Sequence, residues 1–128
     1  MSVNTRSQKL AQAAYACVEQ RPQPDKEYAS FAKKFPALVH TCGLAQAVAF
    51  ALAKGGHQEA YAKNLAEVLK AGGHTDIASA DVLAKQTREQ SVTGYLRLSR
   101  DAIEAASWLK RYVEAAAPEE QEGKTNAG

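Results

Sequence analysis

A chain of 128 residues, 45% of them hydrophobic and 23% charged, is long enough for one domain with its own core and needs no metal or disulfide staple. A mildly basic net charge of +2 permits a polyanion partner without demanding one, and two cysteines suggest a reduced protein and not a disulfide framework. Residues 1–9 are polar and do not resemble a signal peptide, so a reduced, cytoplasmic protein with buried thiols is expected. Alanine is abundant, β-branched residues are few, and no alternating run survives inspection. The composition therefore predicts an all-α fold, a compact bundle of about five to six helices.

The first helix is expected to start near Asn4 or Thr5, either of which caps well, and to end near Gln20. Leu10, Ala13, Ala14, Cys17 and Val18 form its buried stripe, with Arg6 at one margin. Pro22 and Pro24 break it, and Asp25 caps a short second helix carrying Tyr28, Phe31, Ala32 and Phe35. Lys33 and Lys34 project away from that stripe. The residue before Pro36 is disfavoured in the α region, so this helix is expected to stop there.

Residues 36–53 contain no Asp, Glu, Lys or Arg and are apolar on nearly every side. They are expected to form one central helix, opened by Pro36 and closed by Gly55-Gly56. The run approaches the roughly 18 residues of a membrane span, but its alanines and internal His40, Thr41 and Gln46 argue for a soluble core. Leu38, Cys42, Leu44, Val48 and Phe50 are assigned to that core. Gly43 is read as the mark of a close helix crossing, because mid-helix glycine costs about 1 kcal/mol relative to alanine. Cys17 and Cys42 are expected as buried thiols, with a bridge left open should their helices touch.

Residues 58–71 are the clearest amphipath, with Tyr61, Leu65, Val68 and Leu69 opposite Glu59, Lys63, Glu67 and Lys70. Gly72-Gly73 closes it, and residues 77–88 give a shorter helix anchored on Val82 and Leu83. The last helix is expected from Ser91 or Thr93 to Ala116, with Tyr95, Leu98, Ala102, Ala106, Leu109 and Val113 inward. Its other face gathers Arg97, Arg100, Asp101, Glu104, Trp108 and Arg111 within about 100°. Trp108 thus lies among charges. It is assigned, with Leu109, to a core covered from both sides; an interface anchor and a base-stacking ring are the alternatives. Residues 1–117 are expected to be the folded domain and residues 118–128 a disordered polar tail. Without that tail the body holds 15 Lys and Arg against 11 Asp and Glu, a mildly basic balance.

No catalytic constellation appears: there is no phosphate loop, no Cys-x-x-Cys, and no metal-ligand spacing among His40, His57 and His74. His40 is read as a hydrogen-bonded core histidine. No cofactor or metal is implied, and the chain is read as a non-enzyme. Residues 77–88 followed by a basic helix also admit a helix-turn-helix reading, though the connection lacks glycine and the second helix is long.

Trp108-Leu109-Lys110-Arg111-Tyr112-Val113-Glu114-Ala115, preceded by Tyr95, Leu98 and the turn from Arg100 to Ala105, resembles the C-terminal signature of the small subunit of the type III-B (Cmr) CRISPR RNA-silencing complex. Phe35-Pro36-x-Leu38-Val39, with Gly43-Leu44-x-Gln46-Ala47-x-Ala49-Phe50, is similar to the family's middle segment, and Arg6 and Val18 fit its first helix. The likeness covers residues from about 5 to 116, with residues 72–90 contributing nothing to it. It implies a compact helical bundle without nuclease activity, copies of which stack head to tail as the complex's minor filament. Partners implied are the backbone ribonuclease subunit, the large signalling subunit and further copies of the chain, with no membrane. Guide and target RNA would be held through phosphates, for which Lys33, Lys34, Lys54, Arg97, Arg100 and Arg111 are the candidates. A helical adapter that binds only protein, or the small subunit of a related effector, is the competing reading.

Overall fold

A computed structural model describes residues 5–21 and 25–116. The expected tail at 118–128, and the capping candidate Asn4, lie outside the described residues. Six helices follow in order: α1 (Arg6–Glu19), α2 (Lys26–Cys42), α3 (Leu44–Lys54), α4 (Gly56–Ala71), α5 (Ala80–Glu89) and α6 (Val92–Ala116). Among the described residues there is no strand. The all-α expectation holds.

The first helix begins where its chemistry demands. The Thr5 hydroxyl oxygen accepts from the Gln8 N–H at 3.1 Å, and the Gln8 side-chain oxygen accepts from the Thr5 N–H at 2.8 Å, a reciprocal capping box. Asp25 caps α2 by accepting from the Tyr28 N–H at 3.3 Å, and Ser79 caps α5 by accepting from the Val82 N–H at 3.2 Å.

The middle of the chain departs from expectation. Pro36 does not open a helix; it lies inside α2, which runs through it to Cys42. An interior proline costs about 3 kcal/mol. Phe35 and Val39, on either side of it, are buried and gain about 1.5–3 kcal/mol each by being so. Packing outweighs the local rule. The break falls instead at Gly43, whose φ of +88° and ψ of 159° no other residue adopts without strain. There is therefore no single helix over residues 36–53. Gly43 is the joint of an α2–α3 corner and not a crossing point within one helix.

The corner explains which apolar residues find cover. Leu44, Ala47, Val48 and Ala51 turn inward and are buried, whereas Leu38 and Cys42 are half-buried and Phe50 is 44% exposed. Phe50, expected in the core, lies at its margin, its ring 6.1 Å from that of Phe31. His40, expected inside, is exposed on the last turn of α2.

The helix at the centre is α4, which packs against all five others. Tyr61, Ala62, Leu65, Ala66, Val68 and Leu69 are buried along it. Tyr61 is the hub of an aromatic cluster with Tyr28, Phe31 and Phe35, at centroid distances of 4.9 to 5.8 Å. Burial and the neighbouring Tyr28 push the Tyr61 phenol well above its ordinary pKa. Both Tyr61 and Tyr28 are held neutral at any physiological pH; Tyr28 donates to the Asn64 side chain from α4.

The first and last helices close the bundle in the most extensive pairing of the molecule. Arg6 meets Asp101, Ser7 meets Glu104 and Tyr15 meets Tyr112, so the contacts advance in the same direction and the two helices run parallel. By contrast α5 packs on α3 and α4 and barely touches α6. That arrangement is not the tight pair a helix-turn-helix needs. Both cysteines are free: Cys17 donates to the Glu67 carboxylate at 3.4 Å, and Cys42 to the Leu38 carbonyl of its own helix. Burial, with the Glu67 charge and hydrogen bond, pushes the Cys17 thiol up to about 12.

Candidate nucleic-acid interface

The inward stripe of α6 is Leu98, Asp101, Ala102, Ala105, Ala106, Leu109 and Val113. Asp101 is the surprise among them. The sequence places it with the arginines, but it is buried to 2% exposure between three segments. One carboxylate oxygen lies 2.8 Å from His74 Nε2, in the loop after α4. The other lies 3.7 Å from the Arg6 guanidinium of α1 and has no hydrogen bond. Glu104, one turn further on, accepts from the Ser7 hydroxyl of α1 at 2.6 Å and is half-buried.

Asp101 and Glu104, which helical spacing places among the arginines, are thus drawn toward α1. Arg97, Arg100 and Arg111 stay outside and exposed. On an ideal helix the three fall within a sector of about 60°, over about 21 Å of axis. Among the described residues none of them is in an ion pair.

The lysines are not gathered in the same way. Lys33 is half-buried and Lys34 exposed, on opposite flanks of the outward side of α2. Lys54, exposed in the last turn of α3, holds its ammonium 5.6 Å from the Phe50 ring centroid, a cation–π contact. Three arginines on one helix make a surface; the three lysines sit on two other helices.

Trp108 borders this surface. It is half-buried at the edge of the core and stacks on Tyr112, with centroids 5.7 Å apart and planes 19° from parallel. The second covering helix that a full core position requires is absent on one side, because α1 reaches Tyr112 but leaves the indole partly open. Tyr15 of α1 meets Tyr112 edge-on at 5.4 Å and is 53% exposed. Sequence reasoning met Tyr112 only within the family resemblance and overlooked Tyr15, for which an aromatic ring off the apolar stripe of α1 was the available signal.

His57 serves a structural contact. His57, opening α4, lies 3.0 Å from Asp25 and 3.3 Å from Glu27, tying α4 to the start of α2. Burial would raise the Asp25 carboxyl, but the Arg21 hydrogen bond, the Tyr28 N–H and the Arg21 and His57 charges hold it below its usual range. Among the described residues no three His, Cys, Asp or Glu stand close enough to share a metal, and no helix is long and apolar enough to cross a membrane.

What fold and surface define together is a small helical bundle whose last helix carries a row of exposed arginines bordered by aromatic rings. The family of CRISPR-associated proteins called Cas_Cmr5 matches residues 6–116, nearly all of the helical body. The CRISPR system Cmr subunit Cmr5 of Thermus thermophilus is 39% identical over 116 residues, covering 88% of this chain and 96% of that one. The crystal structure of a CRISPR-associated Cmr5 family protein from Thermus thermophilus superposes with a TM-score of 0.79 at 38% identity, over 88% of this chain and 97% of that chain. The chain belongs to the Cas_Cmr5 family, the small-subunit family of the Cmr CRISPR complex.

Proposed function

We propose that this chain is the non-catalytic small subunit of a type III-B RNA-guided silencing complex in the cytoplasm, stacking as its minor filament. Its partners are further copies of itself, the backbone ribonuclease subunit and the large signalling subunit. It helps hold guide and target RNA through phosphates, without reading bases. One observation carries the RNA contact: inward pairing of Asp101 and Glu104 leaves Arg97, Arg100 and Arg111 as an uncompensated row. Arginines so placed meet phosphate oxygens in forked pairs. Lys33, Lys34 and Lys54 add charge on other helices and are secondary contributors.

The test is the combined Arg97→Gln, Arg100→Gln, Arg111→Gln variant in the reconstituted complex. Removing one arginine–phosphate pair reduces the salt slope of RNA affinity by about one. The variant assembles normally, retains RNA more weakly, and shows a slope smaller by up to about three. Unchanged affinity and slope would remove this face from the RNA path. The protein-only adapter reading draws on a separate feature, the exposed Val92 and Leu96 at the start of α6, which are 78% and 62% accessible.

A further inference from the structure

An exposed tyrosine alone needs no explanation. Tyr15 differs in how it is supported. Its ring stands outside the buried stripe of Leu10, Ala14, Cys17 and Val18, and it is braced from a second helix. Tyr112 meets it at 79°, and Tyr112 is in turn backed by Trp108 in an offset stack. Trp108 and Tyr112 are one turn apart on α6, so the three rings form a ladder across the α1–α6 groove. Such a ladder supports the outermost ring from one side.

At the Trp108 end of the ladder the charge is positive. Arg111 precedes Tyr112 and lies three residues after Trp108, exposed and in no ion pair among the described residues. Glu104, the acid on the same side of α6, is engaged by Ser7. On α1 the platform is bounded by Glu19, one turn beyond Tyr15. The exposed aliphatic pair Val92 and Leu96 lies elsewhere: Leu96 is about 18 Å along the helix axis from Trp108. The patch is therefore aromatic, with Arg111 at its α6 end, Glu19 at its α1 end and neither Val92 nor Leu96 within it, and an exposed ring continuous with an arginine row is the device of a single-strand stacking platform.

We infer that Tyr15, braced by Tyr112 and Trp108, is a stacking platform for an unpaired RNA base of a strand whose phosphates run along the arginine row of α6 beyond Trp108. The inference rests on the RNA-holding reading above and narrows its ligand. A base inside a duplex has both faces covered by its neighbours, so only an unpaired or everted nucleotide can offer one to Tyr15. Stacking is tolerant of base identity, which agrees with a surface that holds RNA without reading it.

The full chain is titrated at low salt with a short mixed-sequence RNA, single-stranded or annealed to its complement. The readouts are affinity and the emission of Trp108, the one tryptophan. Single strands quench the indole and duplex does not. Tyr15→Leu, at an exposed site that tolerates it, weakens single-strand binding about tenfold and leaves duplex binding alone. Tyr15→Phe, which keeps the ring, binds as the parent does. Absence of single-strand quenching in the parent, or Tyr15→Leu binding as tightly as the parent, overturns the platform. Loss of co-assembly with other subunits at unchanged RNA affinity also overturns it and makes the ladder a protein contact. The triple arginine variant is scored separately, so the platform can fail while the phosphate-holding reading stands.

Discussion

Replacing Gly43 with Ala isolates the α2–α3 joint. An added Cβ would meet only the Tyr95 hydroxyl, at 3.4 Å, which is ordinary contact, so crowding is not the source of any cost. Backbone strain is. With φ at +88° and ψ at 159°, Gly43 occupies a region almost closed to residues with a side chain, costing about 1–3 kcal/mol. Stiffening of the unfolded chain returns about 0.4–1 kcal/mol, leaving a net loss of about 1–2 kcal/mol. For a chain of this size that lowers the melting midpoint by about 3–8 °C. A glycine cannot cap α3 with a side chain, and the Tyr95 hydroxyl of α6 accepts from the Ala45 N–H at 3.1 Å instead. Tyr95→Phe removes that acceptor and costs about 1 kcal/mol by itself. Both variants, and their combination, are read by urea unfolding followed by far-ultraviolet circular dichroism. Gly43→Ala as stable as the parent, or more so, would refute the argument, since it would mean the joint does not hold a positive φ.

Gly72→Ala acts by the opposite mechanism: its φ of −84° is ordinary, but the new methyl would lie 2.4 Å from Leu10 Cδ2 inside the core. Overpacking costs about 1–3 kcal/mol, and adding Leu10→Ala relieves part of it, so the double variant is less destabilised in thermal melts than the two single variants added together. Asp25 has a depressed pKa in the fold, so its contribution is complete above the unfolded carboxylate range and is lost as pH falls through its folded value. Asp25→Asn, compared with the parent by urea midpoints between about pH 5 and pH 2, flattens that acid limb. Cys17, pushed up to about 12 and buried, stays a thiol at about pH 8 and resists maleimide while the half-buried Cys42 reacts first, as mass spectrometry of partially labelled protein reads out.

How far the sequence could be read depended on the range of the deciding interaction. Caps are local, and Thr5, Asp25 and Ser79 act within three residues of themselves. The amphipathic face of α4 was legible for the same reason. Pro36 and Gly43 were misread because each is judged by a local rule that a distant surface overrules: cover for Phe35 and Val39 carries α2 through its proline, and the glycine two turns later takes the bend. Phe50 looked buried because a charge-free run was taken as one helix; once the run bends, one flank of α3 has no partner. Asp101 is the instructive case on the candidate surface. Helical spacing put it with Arg97 and Arg100, and nothing nearby in sequence says that His74 and Arg6 draw it inward. The same long-range pairing leaves the arginines bare, so their separation from acid was invisible until α1 was in place.

The parallel pairing of α1 with α6 also has a consequence during synthesis. The stripe of Leu10, Ala14, Cys17 and Val18 leaves the ribosome first, yet one of its two main covering helices is the last to be made. At ordinary translation speeds the interval is on the order of ten seconds. Through it α4 can shield Leu10 and Cys17, while the side meant for Leu98 to Val113 stays wet and adhesive. A growing chain stalled anywhere before α6 therefore presents an apolar groove with no partner of its own, and the emergence of α6, more than any earlier step, is what commits the bundle to closing.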